Sequence, residues 1–485
     1  MGQGIAQVAL QGGLRVVIHD ARKGGAADGI KAVGARLDRL VEKERISEED
    51  ANRFKLNITA VAQLEDLADC DVVIEAVFED LDLKRGIFSQ LEETVSPECL
   101  LASNTSSLLI ASLARGAKQP QRIAGMHFFN PVPLMKLVEI VRGPDSDDKT
   151  VAALTDLAQK MGRTPVVVAD APGFLVNHGG RAFTVEAMRI LHEGVATPAQ
   201  IDAIMRDCWG YRMGPCELMD LTGVDVNLPV SEIVAKGFSD DPRLKTSFPH
   251  RALFEAGRLG RKTGRGHYRY DENGKMIDPP SPDFVPGCAP AEKLFLGEAV
   301  DELLEFAETL DCKILFDDDG ESPILAAIVG EDCSNFSART GIDYRRLVCA
   351  ELLGDTTNRV TLATTPGADH AVRDTVAALI VKSGRAVTLI KDSPGFIGQR
   401  ISAMVANLGC ELAQIGIAPP REIDTAMKLG LNYPKGPLEL TEELGPDLVM
   451  GILQRLQVIT GEDRYRPSLW LKRRALLGLS IYTEN

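Results

Sequence analysis

The sequence predicts a protein of mixed α/β class: a doubly wound, mainly parallel sheet followed by an all-α domain, then a small degenerate α/β unit and a second copy of the all-α domain. Three observations carry this reading. Up to about residue 168, short β-branched runs alternate with helical stretches, the pattern of strands joined by crossover helices. From Phe174 to about Tyr270 the apolar spacing becomes helical throughout. Beyond that, whole segments return at a constant offset of 222 residues: "DAPGFLVNHGGRAF" at Asp170 as "DSPGFIGQRISAMV" at Asp392, "QIDAIM" at Gln200 as "EIDTAM" at Glu422, and "MGPCEL" at Met213 as "KGPLEL" at Lys435. An offset held over such a distance marks duplication of a helical unit.

The elements follow in order. "GIAQVAL" forms a helix that Gly12-Gly13 stops, and "LRVVIHD" is the strand after it, ending at Asp20. "DVVIEAV", "CLLASNT", "RIAGMHFF", "KLVEIVRG" and "TPVVVAD" are the later strands of the sheet. Asp170-Ala171-Pro172-Gly173 breaks the alternation, and "IDPPSPDFVPGCAP" reads as an extended linker. The expected organisation is therefore a Rossmann-like domain over 1–169, a helical domain over 170–277, a linker over 278–290, a degenerate Rossmann-like unit over 291–391 and a second helical copy over 392–485. The later α/β unit has no glycine-rich strand-to-helix turn, so no nucleotide site is expected there.

Composition narrows the function classes. A net charge of −15 over 485 residues repels a phosphate backbone, so nucleic acid is not an expected partner. The cationic positions Arg36, Arg39, Lys43 and Arg45 read first as a solvated helix face. No apolar run is long enough to span a bilayer and no secretory leader is legible, so the expected location is the cytoplasm, without membrane attachment. Nine cysteines lack C-x-x-C spacing, which fits reduced thiols rather than disulfides or a metal site.

A dinucleotide fold places G-x-G-x-x-G between its first strand and first helix, because side chains there would keep the pyrophosphate from the helix N-terminus. Gly2 fits the third glycine, and Asp20, eighteen residues on, stands where a ribose-binding acid belongs. In "HFFNPVPLMKLVE", His127 ends one strand, Asn130-Pro131-Val132-Pro133 bends the chain and Glu139 lies on the returning strand. A carboxylate on one ring nitrogen sets the tautomer and leaves the other as an acid–base group. The loop "SNTSS" leaves a strand at the carboxyl edge where open α/β sheets bind ligands, with Ser106 either facing the crevice or capping a helix.

"MGQGIAQVA", "VVIEAVFEDLDLK", "LASNTSSL", "GMHFFNPVPLMKLVEIVRG", "DAPGFLVN", "MGPCELMDL" and "RLGRKTGRGHY" together resemble the successive signatures of the 3-hydroxyacyl-CoA dehydrogenases over nearly all of residues 1–270. The second helical copy resembles the long bacterial branch of 3-hydroxybutyryl- and 3-hydroxyadipyl-CoA dehydrogenases. The resemblance implies NAD as cofactor, an acyl-CoA substrate and oxidation of its (3S)-hydroxyl, with no metal. It implies His127 as base with Glu139 as its partner, Ser106 at substrate and cofactor, and Asn177 at the substrate hydroxyl or thioester carbonyl. Glu79, Lys84 and Asn130 match positions at the nicotinamide ribose, and Lys43 a position near the CoA phosphates. It also implies that the first strand and first two glycines of the fingerprint stand ahead of Gly2, with Met1 an internal methionine of that fingerprint. Asp20 favours NAD over NADP by repelling a 2′-phosphate, while Arg22 and Lys23 act in the opposite sense.

Some positions depart from the family pattern. His178 replaces an arginine, Cys216 an aromatic residue and His267 a phenylalanine, and none of these removes a catalytic group. In the second copy Gln399 stands where Asn177 stands, and its α/β partner offers no His–Glu pair, so copy two reads as structural, in the place that a partner subunit's helical domain takes in shorter relatives; a homo-oligomer is compatible with this. Two other readings stay open: a dehydrogenase of free 3-hydroxy acids, and a catalytically impaired assembly subunit of the same fold.

Overall fold

The computed structural model describes residues 1–277 and 279–484, so Asp278, where the linker was expected to begin, and Asn485 lie outside the described residues. One compact unit comprises Met1–His178 together with Ile415–Leu431, and the other Gly179–Gln414 with Asn432–Asn485. The first unit carries β1 (Val16–His19), β2 (Ile58–Val61), β3 (Val72–Glu75), β4 (Leu100–Ser103), β5 (Ile123–Phe128), β6 (Leu137–Arg142) and β7 (Thr164–Ala169). β3 to β7 form a five-stranded sheet in chain order, parallel except for β5 against β6. That exception follows from length. The Phe129–Lys136 link is too short for the crossover that a parallel neighbour needs.

Helices Gly2–Gln11 and Asp148–Lys160 cover the sheet, burying Ile5, Val8, Leu154 and Ala158 against Met126 and Ile140. The second of them begins where Asp147 accepts the Thr150 N–H, and Asp80 caps helix Leu81–Thr94 in the same way. β1 and β2 pair in parallel as a separate two-stranded sheet, packed on helices Gly25–Glu42 and Glu48–Leu56 through Val33, Leu37 and Phe54. Among the described residues β1 pairs with β2 alone and β3 with β4 alone. Apart from the buried Glu75, their residues are correspondingly half-exposed, Val17 at 37%, while every residue of β5 is buried.

The second unit contains β8 (Lys293–Leu296), β9 (Lys313–Leu315), β10 (Ile324–Ala327), β11 (Leu347–Glu351), β12 (Arg359–Thr364) and β13 (Ala386–Lys391). They form one sheet in the order β13-β12-β11-β10-β8-β9, again with a single antiparallel pair, β11 with β12. This repeats the β7-to-β3 arrangement, with β9 covering the edge of β8 that corresponds to the unpaired edge of β3.

The units do not follow the five consecutive domains expected from the sequence. Helix Pro420–Leu431 belongs to the second helical copy by sequence, yet it packs on β6 and β7 in the first unit, where the edge N–H of Ala169 donates to the carbonyl of Ile417 at 2.8 Å. In the second unit the corresponding helix of the first copy, Pro198–Asp207, packs on β12 and β13, and Lys391 N–H donates to Val195 carbonyl at 3.0 Å. Each edge strand thus satisfies backbone donors with a segment from the other repeat. The two helical copies meet through helices Arg181–Glu193 and Gly398–Gln414, where the buried Arg400 guanidinium donates to Glu186 at 2.6 Å and to Glu193 at 2.7 Å.

Candidate active site

The first unit assembles the predicted residues at the carboxyl ends of its strands. His127 and Glu139 are directly paired across β5 and β6, and Nδ1 of His127 lies 2.6 Å from Glu139 Oε2. Both side chains are buried, 7% and 0% exposed. Glu139 Oε1 accepts the backbone N–H groups of Leu175 at 3.1 Å and Val176 at 2.8 Å. The carboxylate is therefore held by two donors on one oxygen and presents the other to the ring. With Nδ1 engaged, Nε2 is the nitrogen available for proton transfer. Phe129 and Phe174 flank the imidazole, with ring centroids at 4.5 and 5.9 Å.

A second cluster lies after β3 and β4. Glu79 accepts the Thr105 hydroxyl, the Ser106 N–H at 2.9 Å and the Ser107 N–H at 3.0 Å, and pairs with Lys84 at 3.1 Å. Desolvation opposes ionisation of Glu79, but the Thr105 hydroxyl and the Lys84 charge, with the backbone donors, outweigh it and bring the carboxyl down to about 2. Asn177 donates its amide to the Ser106 carbonyl at 3.3 Å, so the two predicted substrate-facing residues adjoin, and Ser106 itself is exposed.

Lys84 is placed otherwise than a ribose contact requires. It is fully buried and also holds Glu75, at 2.8 and 3.0 Å, while Ser103 donates to the same Glu75 carboxylate. It therefore fixes Glu79 and the turn after β4 from beneath. Sequence reasoning passed over Glu75, Thr105 and Asn104, whose side-chain oxygen accepts the Phe128 N–H beside His127 at 2.9 Å. A polar residue inside an otherwise apolar strand run, as Glu75 is in "VVIEAV", was the available signal. Asp170, read only as a break, accepts the N–H groups of Ile110 and Ala111 at 2.9 and 2.7 Å and so caps the helix after the SNTSS loop.

At the cofactor end, helix Gly2–Gln11 starts beside a cavity of ≈ 300 Å³ lined by Gln3, Gly4, Arg36 and the Asn130–Leu134 turn. Asn130 is exposed there, ahead of a cis bond to Pro131. Gly4 is held close to this turn, since a Cβ on it would come within 2.9 Å of Val132. Asp20 is exposed just past β1, accepts the Arg22 N–H at 2.8 Å, and leaves no room for a side chain at Gly25. The chemistry of this donor set fits a dinucleotide: a helix N-terminus for phosphate, an acid at a strand end for a ribose diol, and Asn130 and Glu79 beyond. Lys43 is exposed after helix Gly25–Glu42, and Arg36 rather than Lys43 lines the cavity.

Family models match most of this chain: the 3-hydroxyacyl-CoA dehydrogenase NAD-binding domain over residues 1–171, and the C-terminal domain of the same family over 173–270 and again over 395–480. The chain belongs to the 3-hydroxyacyl-CoA dehydrogenase family. Like other members, it is an NAD-dependent oxidoreductase. It is 36% identical to a 3-hydroxyadipyl-CoA dehydrogenase of Escherichia coli over 98% of this chain and 96% of the relative. A crystal structure of 3-hydroxybutyryl-CoA dehydrogenase from Escherichia coli superposes with a TM-score of 0.86 at 35% identity, covering 98% and 96% of the two chains. A shorter relative, a probable 3-hydroxybutyryl-CoA dehydrogenase of Deinococcus radiodurans, is 42% identical over 56% of this chain and 96% of its own. Against this 3-hydroxyacyl-CoA dehydrogenase framework the nine cysteines are all free, and no helix among the described residues is long and apolar enough to cross a membrane.

The second α/β unit carries a changed version of the same site. Glu351 pairs in register with Thr361 as His127 pairs with Glu139, and Gln399 donates to the Ile328 carbonyl at 3.0 Å as Asn177 does to Ser106. Burial pushes the Glu351 carboxyl up to about 7. A buried carboxyl at the histidine's place leaves no imidazole to exchange protons there.

Proposed function

We propose that this chain oxidises (3S)-3-hydroxyacyl-CoA to 3-oxoacyl-CoA at a single site in the first unit. The observation that supports it most directly is the buried 2.6 Å contact between His127 Nδ1 and Glu139. Nε2 of His127 takes the proton of the substrate's 3-hydroxyl as the C3–O bond becomes a carbonyl, and Glu139 stabilises the resulting imidazolium. NAD, held by Asp20, Glu79 and Asn130, would supply the acceptor for the hydride at C3. Ser106 and the Asn177 amide, joined at the Ser106 carbonyl, orient the hydroxyl and the thioester carbonyl. Glu79 and Asn130 hold the nicotinamide ribose, Lys84 sets Glu79, and Asp20 takes the adenosine ribose and disfavours a 2′-phosphate. Lys43 serves the CoA phosphates from its exposed place near Arg36. The enzyme acts on its acyl-CoA substrate in the cytoplasm, a reading that bacterial relatives such as the 3-hydroxyadipyl-CoA dehydrogenase support.

The names of the relatives point to short and dicarboxylic acyl groups. Initial rates of NADH formation across a series of 3-hydroxyacyl-CoA lengths, one of them dicarboxylic, test the reading together with free 3-hydroxybutyrate. Thioester turnover far above free-acid turnover is expected, with His127→Gln losing ~10²–10⁴-fold in kcat. Equal use of the free acid, or near-normal turnover by the variant, would overturn it.

A further inference from the structure

Helix Pro420–Leu431 comes from the second helical copy but lies in the same compact unit as His127 and Glu139. Its last turn reaches the base of that pair. A Cβ on Gly430 would come within 3.0 Å of Leu137 Cδ2 and within 3.1 and 3.2 Å of the two Val176 methyl groups. Leu137 opens β6 two residues before Glu139, and Val176 is the residue whose N–H holds Glu139 Oε1 at 2.8 Å. Val176 and Leu137 are both fully buried, so neither has free space to retreat into.

The second α/β unit packs the corresponding junction with other residues. Gly398 stands 222 residues after Val176, and Trp209 stands 222 residues before Leu431. A Cβ on Gly398 would meet Trp209 Nε1 at 1.9 Å and Glu351 Oε1 at 2.6 Å. There Trp209, the counterpart of Leu431, covers Gly398, whereas at the first site Gly430, the counterpart of Cys208, leaves the space to Val176.

We propose that Gly430, in the second helical copy, is a positioning residue for the His127–Glu139 pair. With no side chain at 430, Val176 lies against the helix end, its N–H keeps Glu139 Oε1 in place, and Oε2 stays on His127 Nδ1. This rests on His127 being the base. It assigns the second copy a part in catalysis that its lack of a dyad conceals.

The test uses the full chain with Gly430→Ala and Gly430→Val, each alone and with Val176→Ala, read by kcat, by KM for NAD and for 3-hydroxybutyryl-CoA, and by melting temperature. Displacing the pair lowers kcat about tenfold in Gly430→Val and less in Gly430→Ala, with KM for NAD changed by no more than about twofold. Adding Val176→Ala, which makes room for the new side chain, returns kcat to within about threefold of the parent. If Gly430→Val does not fold, the alanine pair is read by the same criteria. A folded Gly430→Val with parental kcat overturns the proposal, as does a kcat loss that Val176→Ala leaves unrelieved. Near-normal activity of His127→Gln would instead overturn the base assignment, so the two failures are separable.

Discussion

Replacing Glu139 by Gln isolates what the buried carboxylate contributes, because the amide matches its shape. Glu139 Oε1 accepts two backbone N–H groups and Oε2 faces His127 Nδ1. If the amide nitrogen faced the backbone donors, both would lose their acceptor in a buried site, at about 1–3 kcal/mol each. The side chain therefore keeps its carbonyl on Leu175 and Val176 and turns its NH₂ toward Nδ1. An amide donor there requires a neutral Nδ1, which places the ring proton on Nε2, the nitrogen that has to accept the substrate's proton. The electrostatic loss is of similar consequence. Charges about 4 Å apart at an effective dielectric of about 20 interact by about 4 kcal/mol, or roughly 10³ in rate. Glu139→Gln should thus lower kcat for NADH formation from 3-hydroxybutyryl-CoA by roughly 10³-fold, with NADH affinity from fluorescence titration unchanged. A variant that keeps more than about a tenth of parental kcat would refute the carboxylate–imidazole argument.

Burial raises Glu351 to about 7 from 4.5, so the folded state holds its proton more tightly than the unfolded chain, and this contribution to stability is present below pH 4.5 and lost as pH rises through 7. Glu351→Gln retains a carbonyl for the Gln399 N–H and should remove that decline, a difference of roughly 3 kcal/mol at pH 8 and none at pH 4; urea unfolding of variant and parent with parallel pH dependence would contradict it. Arg400→Met removes one of the two guanidinium partners of the buried Glu186, which keeps Arg464 at 3.0 Å, and should cost less than the about 3–5 kcal/mol of a wholly unpaired buried charge, seen as a lower denaturant midpoint; an unchanged midpoint would show that the pair adds nothing.

Much of this protein is legible in the sequence because it is encoded locally. Strand and helix periods, the Gly12-Gly13 stop, the proline-bent turn between His127 and Glu139, and the 222-residue recurrence all act over a few residues or by repetition, and they suffice for the alternation of strands and helices, the His127–Glu139 contact and the duplicated helical copies. What tertiary structure alone decided depends on surfaces meeting across long separations. Lys84 is expected from the family resemblance at the nicotinamide ribose, and only the placement of Glu75 and Glu79 around it makes it a buried strut. Helix Pro420–Leu431 has the same amphipathic pattern as its counterpart Pro198–Asp207, and nothing in either segment tells which sheet it covers. That choice is made where the Ala169 N–H finds the Ile417 carbonyl and where Gly430 leaves room for Val176, because an apolar face specifies that it must be buried while only shape and unpaired backbone groups specify against what.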